Sequence, residues 1–426
     1  MTILTRRAAL GAALAGTLAA PRILAAQGSP TELVVHYPMP AFFKDVMEKI
    51  AEEFAAANPG LTVRYTAPSP SYEDAVQQVL RQGVAGGLPD VSFQGLNRLR
   101  MLVERRLPVD LRPFLEREGD VAAKGWTPNL LGLGQVREVQ AGMGFASSNP
   151  IVYYNANLVR RAGGDPDNLP TDWNSLIALA GRVQALGDGN SSMHFRWAGD
   201  DWMFSALLYG HGGTMLAADE RDVAFNGAEG LASMRLIDRM VKEGRMPAFT
   251  VDAALQAFYA GKMGIFSGTT AYIGSMQRSI GRDVDLRTTK MPVIDAEKGR
   301  LPTGGNAAVI LTRDAARHEA AWKFVTFATG PRGQELMTRG TGYVPCNTIA
   351  ARDDRFLGSF YRENPLFRPA MEQMPIAQAW YAFPGTNGVR ITETIVNNIA
   401  RVVESNATPE AALGDMANGV RRLLPR

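Results

Sequence analysis

The strongest constraint on the fold is a repeated alternation of short apolar strands with amphipathic helices, starting at residue 33. Leu33-Val34-Val35-His36-Tyr37 reads as a buried strand. Phe42, Phe43, Val46, Met47, Ile50 and Phe54 then fall on one helix face, and Asn58-Pro59-Gly60 ends that helix. Leu61-Thr62-Val63-Arg64-Tyr65 gives a second strand. Tyr72, Val76, Val79 and Leu80 mark a second helix, and Val91-Ser92-Phe93 a third strand. Alternation of this kind builds a parallel sheet with helices on its faces. The pattern returns after Gly142. Ile151-Val152-Tyr153-Tyr154 is a strand, and Thr171 is read as the cap of a helix carrying Trp173, Leu176 and Leu179. Further helices are read over 227–242, 253–259, 315–327, 333–338, 389–403 and 409–424, and further strands over 263–266 and 307–311.

The N-terminus has another character. Arg6-Arg7 leads into an uncharged small-apolar stretch from Ala8 to Ala20, and small residues close the segment at Ala25-Ala26. A basic pair, a short apolar run and a small-residue end predict an export signal of twin-arginine (Tat) type over residues 1–26. The apolar run is well short of the roughly 20 residues that span a bilayer. Removing this segment takes away Arg6, Arg7 and Arg22 and no acid, leaving 42 basic against 42 acidic residues. That neutral balance, without basic tracts, argues against a nucleic-acid partner. About 400 remaining residues exceed what one hydrophobic core supports, so two α/β lobes are expected. Cys346 is the only cysteine; it forms no intramolecular disulfide and reads as a buried small hydrophobe. No cysteine stands at the cleavage point in 27–31, so a freely diffusing periplasmic protein is expected rather than a lipoprotein.

The machinery of catalysis is missing from the motifs. There is no phosphate loop, HExxH, paired CxxC or GxSxG elbow. His36, His194, His211 and His318 lack metal-ligand spacing. His36 and the pair Asp200-Asp201 read as structural. Aromatic residues in loops say more: Trp197 and Trp202 flank Gly199-Asp200-Asp201, and Trp380-Tyr381 precede Phe383-Pro384-Gly385. Such rings offer flat faces to a sugar or a cationic headgroup. Trp173 and Trp322 lie on helical stripes and read as core.

Several segments, taken in order, resemble one family. They are Phe145-Ala146-Ser147-Ser148-Asn149-Pro150-Ile151-Val152-Tyr153-Tyr154-Asn155, then Ala162-Gly163, then Pro170-Thr171-Asp172-Trp173. Ala257-Phe258-Tyr259-Ala260-Gly261-Lys262-Met263 and Thr341-Gly342-Tyr343-Val344-Pro345 follow. The chain resembles the extracellular solute-binding proteins of ABC importers, in the carbohydrate group that includes maltose-binding proteins. Within that group it most resembles the periplasmic glycerol-3-phosphate-binding proteins.

The resemblance implies a type II periplasmic-binding-protein fold, with two α/β lobes, a hinge and a cleft between them. Residues 27–145 and 286–328 would form the N-terminal lobe, 146–285 and 329–426 the C-terminal one. It implies ligand contacts at Tyr72, Ser148, Thr269, the Gly305 amide, Tyr343 and Arg390, the last gripping phosphate. Where the resembled group has a glutamate after the third strand, this chain has Phe93-Gln94-Gly95-Leu96-Asn97, so Asn97 or Gln94 would stand in for the acid. Trp197 and Trp202 are further candidates. The expected function is capture of a glycerol-phosphate-like or sugar ligand by hinge closure, as a monomer, and its delivery to an ABC permease. No cofactor, metal or catalytic residue is expected. A secreted carbohydrate-active hydrolase is the alternative, and it would need paired carboxylates or a nucleophile in the cleft.

Overall fold

The computed structural model describes residues 31–281 and 284–425. The expected export signal lies outside them. Strand β1 (Thr31–His36), helix α1 (Pro40–Ala57), β2 (Leu61–Tyr65), α2 (Tyr72–Ala85) and β3 (Val91–Gly95) follow in the order the alternation predicts. β1 lies between β2 and β3 and runs parallel to both. After a small hairpin of β4 (Gln135–Val136) and β5 (Val139–Gln140), β6 (Met143–Ser148) joins the same sheet. One residue, Asn149, then separates β6 from β7 (Pro150–Asn155), which belongs to a second sheet.

That second sheet contains β8 (Ser191–Phe195), β9 (Met263–Thr269) and β10 (Leu286–Lys290), in the order β10-β7-β9-β8. The chain returns to the first sheet as β11 (Leu301–Ile310), antiparallel to β3 on one side and to β6 on the other. β12 (Val344–Pro345) completes the edge beside β6, and β13 (Ala377–Ala379) pairs with the first residues of β11. The first sheet reads β12-β6-β11-β3-β1-β2. Its central strands β3, β6 and β11 are buried along their whole length, including their polar residues Ser92, Gln94, Ser147, Ser148, Thr303 and Asn306.

Each sheet carries apolar layers on both faces. On the first, Phe93 and Phe145 meet edge to face at 4.7 Å, and α1 adds Phe43 and Phe54. On the second, the helix Gly388–Val403 places Ile391, Ile395, Ile399 and Val402 on one buried stripe against Leu413, Met416 and Val420 of the helix Pro409–Arg421. Trp173 and Trp322 are core residues, as their helical positions predict. Cys346 is buried too, and burial raises its thiol pKa to about 12. His36 is structural: Ser92 Oγ lies 2.9 Å from Nδ1 and Ser69 Oγ 3.0 Å from Nε2, and burial lowers its pKa to about 4. Among the described residues no helix is long and apolar enough to cross a membrane.

The lobe boundaries differ from those expected. β10 pairs with β7 from Leu286↔Asn155 to Lys290↔Ile151, so it belongs to the second sheet, not the first. The helix Pro331–Thr341 packs on α1, with Met337 in the first lobe's core, and β12 pairs with β6. That segment was expected in the second lobe. β6 also stays in the first sheet to Ser148, past the expected boundary at 145/146. The cap of the helix Trp173–Ala185 is Asp172 rather than Thr171: its carboxylate accepts from the Ser175 N–H at 2.9 Å.

A buried carboxylate ties β1 and β3 to the segment after β11. Asp90 accepts from the Val34 N–H at 2.7 Å and from Arg317 Nε and Nη2, each at 2.7 Å. Burial pushes its pKa up, but the Arg317 and Val34 hydrogen bonds outweigh this and hold it below the usual carboxylate value. A depressed native pKa adds stability above the unfolded-state value, about 3.9, and the gain is lost as pH falls through the native one. Asp90→Asn should therefore unfold more easily near neutral pH, by about 1–3 kcal/mol. In denaturant titrations the gap to the parent protein should narrow below about pH 4.

Candidate ligand-binding cleft

A cavity of about 180 Å³ lies between the two sheets, with walls drawn from both lobes. Tyr72, Gly304, Gly305 and Tyr343 come from the first lobe. Arg196, Asp200, Trp202, Thr269 and Tyr272 come from the second, Ser148 from the crossing strand and Trp380 from the segment after β13. On the first-lobe wall, Ser71 caps α2 by accepting from the Asp74 N–H at 3.0 Å, which places Tyr72 in the first turn. The Tyr72 hydroxyl lies 3.4 Å from that of Tyr343 and accepts from Asn306 Nδ2 at 3.3 Å. Burial raises the Tyr72 pKa to about 12 and that of Tyr343 well above its ordinary value, so both phenols are neutral donors.

Two glycines make room. A Cβ on Gly304 would lie 2.8 Å from Ser148 Oγ and 3.1 Å from the Trp202 indole nitrogen, so Trp202 rests directly on this backbone. Gly305 has φ +121°, and a Cβ there would lie 1.8 Å from the Ala146 carbonyl oxygen.

On the opposite wall, Trp202 and Trp380 sit with ring centroids 6.5 Å apart at 57°. Both indole N–H groups are buried without a partner in the protein. These nitrogens are closed off from the cavity as well, that of Trp202 against the Gly304 backbone, so the two indoles offer a guest ring surface rather than a donor. Arg196 Nη1 donates to Asp200 Oδ1 at 2.9 Å and Nη2 to Oδ2 at 2.6 Å, and Oδ1 also accepts from the Trp202 backbone N–H at 3.1 Å. The Thr269 hydroxyl accepts from the Ala271 N–H at 3.2 Å.

Side chains next to the cavity tie the lobes together. Arg98, fully buried, donates to Glu73 Oε1 from Nη2 at 2.6 Å and to Thr392 Oγ1 of the second lobe at 3.0 Å. Thr392 in turn donates to Asp201 Oδ1 at 3.3 Å. Arg100 reaches across to Glu220 with a fork at 2.6 and 2.7 Å, and Tyr381 donates to the same carboxylate at 2.7 Å. Burial raises the Asp201 pKa to about 6, against the opposing pull of Arg98.

Of the expected site residues, Tyr72, Ser148, Trp202, Thr269, Gly305 and Tyr343 line the cavity. Trp197 is buried in the second lobe's core instead. Asn97 sits one layer back, in the turn Leu96–Arg98 beside Gly95 and Tyr72, with its Oδ1 unpartnered. Gln94, which does not line the cavity either, donates from Nε2 to Ser92 Oγ at 2.8 Å, and its Oε1 is buried without a partner. The acids of the cavity are Glu73, next to Tyr72, and Asp200.

Arg390 is the main correction. It is exposed and lines an outer groove with Asn387, Thr394, Asn398 and Arg401, away from the cavity. Gly388, Ile391 and Thr392 face inward on its helix. At about 100° per residue, position 390 points outward. The cation that lines the cavity is Arg196. Sequence reading passed it over, although an arginine four residues before an aspartate between two tryptophans was a usable signal.

Two α/β lobes around a cavity that both of them wall define a ligand-capturing protein of the hinged, two-lobe class. The chain belongs to the bacterial extracellular solute-binding protein family, whose profile matches residues 49–368. It is 23% identical over 407 residues to the sn-glycerol-3-phosphate-binding periplasmic protein UgpB of Escherichia coli K12, covering 89% of each chain. Among solved structures it is similar to UgpB from Mycobacterium tuberculosis in complex with glycerophosphocholine, with TM-score 0.82 and 18% identity, covering 92% of this chain and 98% of that one. It is also similar to an ABC transporter solute-binding protein from Thermotoga lettingae bound with α-D-tagatose, with TM-score 0.79 and 20% identity, covering 93% and 100%. The fold is the type II periplasmic-binding-protein fold of maltose-binding proteins.

Because Gly305 combines a left-handed φ with contact against the Ala146 carbonyl, Gly305→Ala should destabilise the protein by about 2–4 kcal/mol. Urea unfolding measures this.

Proposed function

We propose that this chain is the solute-capturing component of an ABC importer. It acts as a monomer in the periplasm, closes its lobes on a small polyhydroxylated or glycerophosphate-type solute, and presents the closed form to the membrane permease. The observation that carries this reading is the two-sided cavity. A solute touching Tyr72, Gly305 and Tyr343 on one wall and Trp202, Thr269 and Tyr272 on the other favours the closed arrangement by its differential affinity for it. The names of the similar proteins support the solute class, since they bind glycerol 3-phosphate, glycerophosphocholine or a sugar.

Within this reading the Ser148, Thr269 and Tyr343 hydroxyls and the Gly305 amide meet polar groups of the solute. Trp202 and Trp380 cover its apolar face, while Asn97 and Trp197 support the walls from behind. No bond is broken. A hydrolase would need carboxylates free to act, and Glu73 and Asp200 are each held by an arginine.

A micromolar solute needs about 8 kcal/mol of binding free energy. At a hundredfold excess over its Kd it would stabilise the protein by about 2.7 kcal/mol. A thermal-shift screen of sugars, polyols and phosphate esters should find such a compound, and X-ray scattering should show compaction without turnover. If nothing raises the melting temperature, the capture reading is wrong. Trp202→Ala should weaken the best ligand at least about tenfold, whereas Arg390→Ala, on the outer groove, should leave its affinity within about twofold.

A further inference from the structure

The capture reading leaves open which charge of solute the cavity accepts, and the charged side chains around it bear on this. Among the described residues, Glu73, Arg196 and Asp200 are the charged groups that line it. Arg196 is thus the one guanidinium among the lining residues, and Asp200 occupies both of its terminal nitrogens, at 2.9 and 2.6 Å. The pair is largely buried, with side-chain exposures of 15% and 14%. Glu73 is matched by Arg98, which sits behind the wall with Nη2 2.6 Å from Oε1. Asp201, just behind Trp202, adds a second buried carboxyl with an unpartnered oxygen. The lining therefore offers an anion no uncommitted positive charge.

We propose that Asp200 sets the charge selectivity of the cavity. By holding the fork of Arg196 it cancels the lining guanidinium, so the site takes an uncharged polyhydroxylated solute in preference to its phosphate ester. This rests on the capture reading above. Proteins grip phosphate through the same planar fork that Asp200 fills here. A phosphate ester has to displace Asp200, leaving a largely buried carboxylate without its counter-charge, or else meet a guanidinium whose charge Asp200 already offsets. A neutral polyol asks for neither. It can lay its C–H face on Trp202 and Trp380 and share hydroxyls with Ser148, Thr269 and Tyr343. The volume of about 180 Å³ lies below the roughly 300–1,000 Å³ of pockets for drug-sized ligands, which suits one sugar ring or a short polyol.

The test is calorimetric titration of the full mature chain, at low salt, with matched pairs. Neutral aldohexoses, ketohexoses and hexitols are compared with hexose 6-phosphates, and glycerol with glycerol 3-phosphate. The tightest neutral probe should bind the parent protein at least about tenfold better than any phosphate ester. Asp200→Asn keeps an acceptor for the Trp202 N–H but removes the charge that cancels Arg196. It should strengthen phosphate-ester binding, measured relative to the matched neutral probe, at least about tenfold. Asp200→Glu should stay on the parent side of that switch. A parent protein that binds phosphate esters as well as or better than neutral probes overturns the selectivity and leaves the capture reading standing, as does a folded Asp200→Asn with no gain for phosphate. If Asp200→Asn does not fold, the parent's matched pairs decide alone. Silence from every probe sinks the capture reading and the selectivity together.

Discussion

The structure depends on the single residue between β6 and β7. Asn149 is buried, its Nδ2 donates to the Ala370 carbonyl at 2.7 Å, and its own carbonyl accepts from the Thr270 N–H at 3.0 Å. One strand of each sheet is thus joined end to end, so any change in the relative placement of the lobes must turn about this residue and the other crossings. Ser148 and Thr269 stand beside this junction and line the cavity as a result. The return through β11 brings Gly304 and Gly305 to the same place, since Gly304 pairs with Ser148. The position of the cleft follows from where two buried strands change sheets.

Around that junction, burying charge is the governing difficulty. An isolated buried guanidinium or carboxylate loses several kcal/mol of hydration, and removing one partner of a buried pair is strongly destabilising. Each arginine near the cleft is accordingly matched: Arg98 with Glu73, Arg100 with Glu104 and Glu220, Arg196 with Asp200. The pairs hold Trp202 and Tyr72 in place at the cost of charge that might otherwise act on a solute. The polar capacity left over belongs to hydroxyls and backbone amides.

Much of this architecture was legible in the residues. β1, β2, β3 and the helices between them follow from apolar periodicity, because buried strands and one-sided helices leave strong patterns. β10 did not, because Leu286-Arg287-Thr288-Thr289-Lys290 is a polar edge strand whose sheet is decided by pairing with β7. Family resemblance brought Tyr72, Ser148, Thr269, Gly305 and Tyr343 to one cavity, since glycines and strand ends keep their place when side chains vary. It misplaced Arg390 because orientation on a helix changes by about 100° with each residue, so a register error of one or two turns a wall residue into an outer one. Arg196 and Asp200 meet only because the loop between β8 and the helix Trp202–Gly210 doubles back, a fold with no periodic signature.

The bridges from Arg100 to Glu220 and from Arg98 to Thr392 join the two lobes beside the cleft. Parting the lobes means breaking these ties, so they favour the closed arrangement and lessen the rearrangement that a guest must drive. The same ties limit how quickly a captured guest can leave, because the lobes cannot part until both have broken.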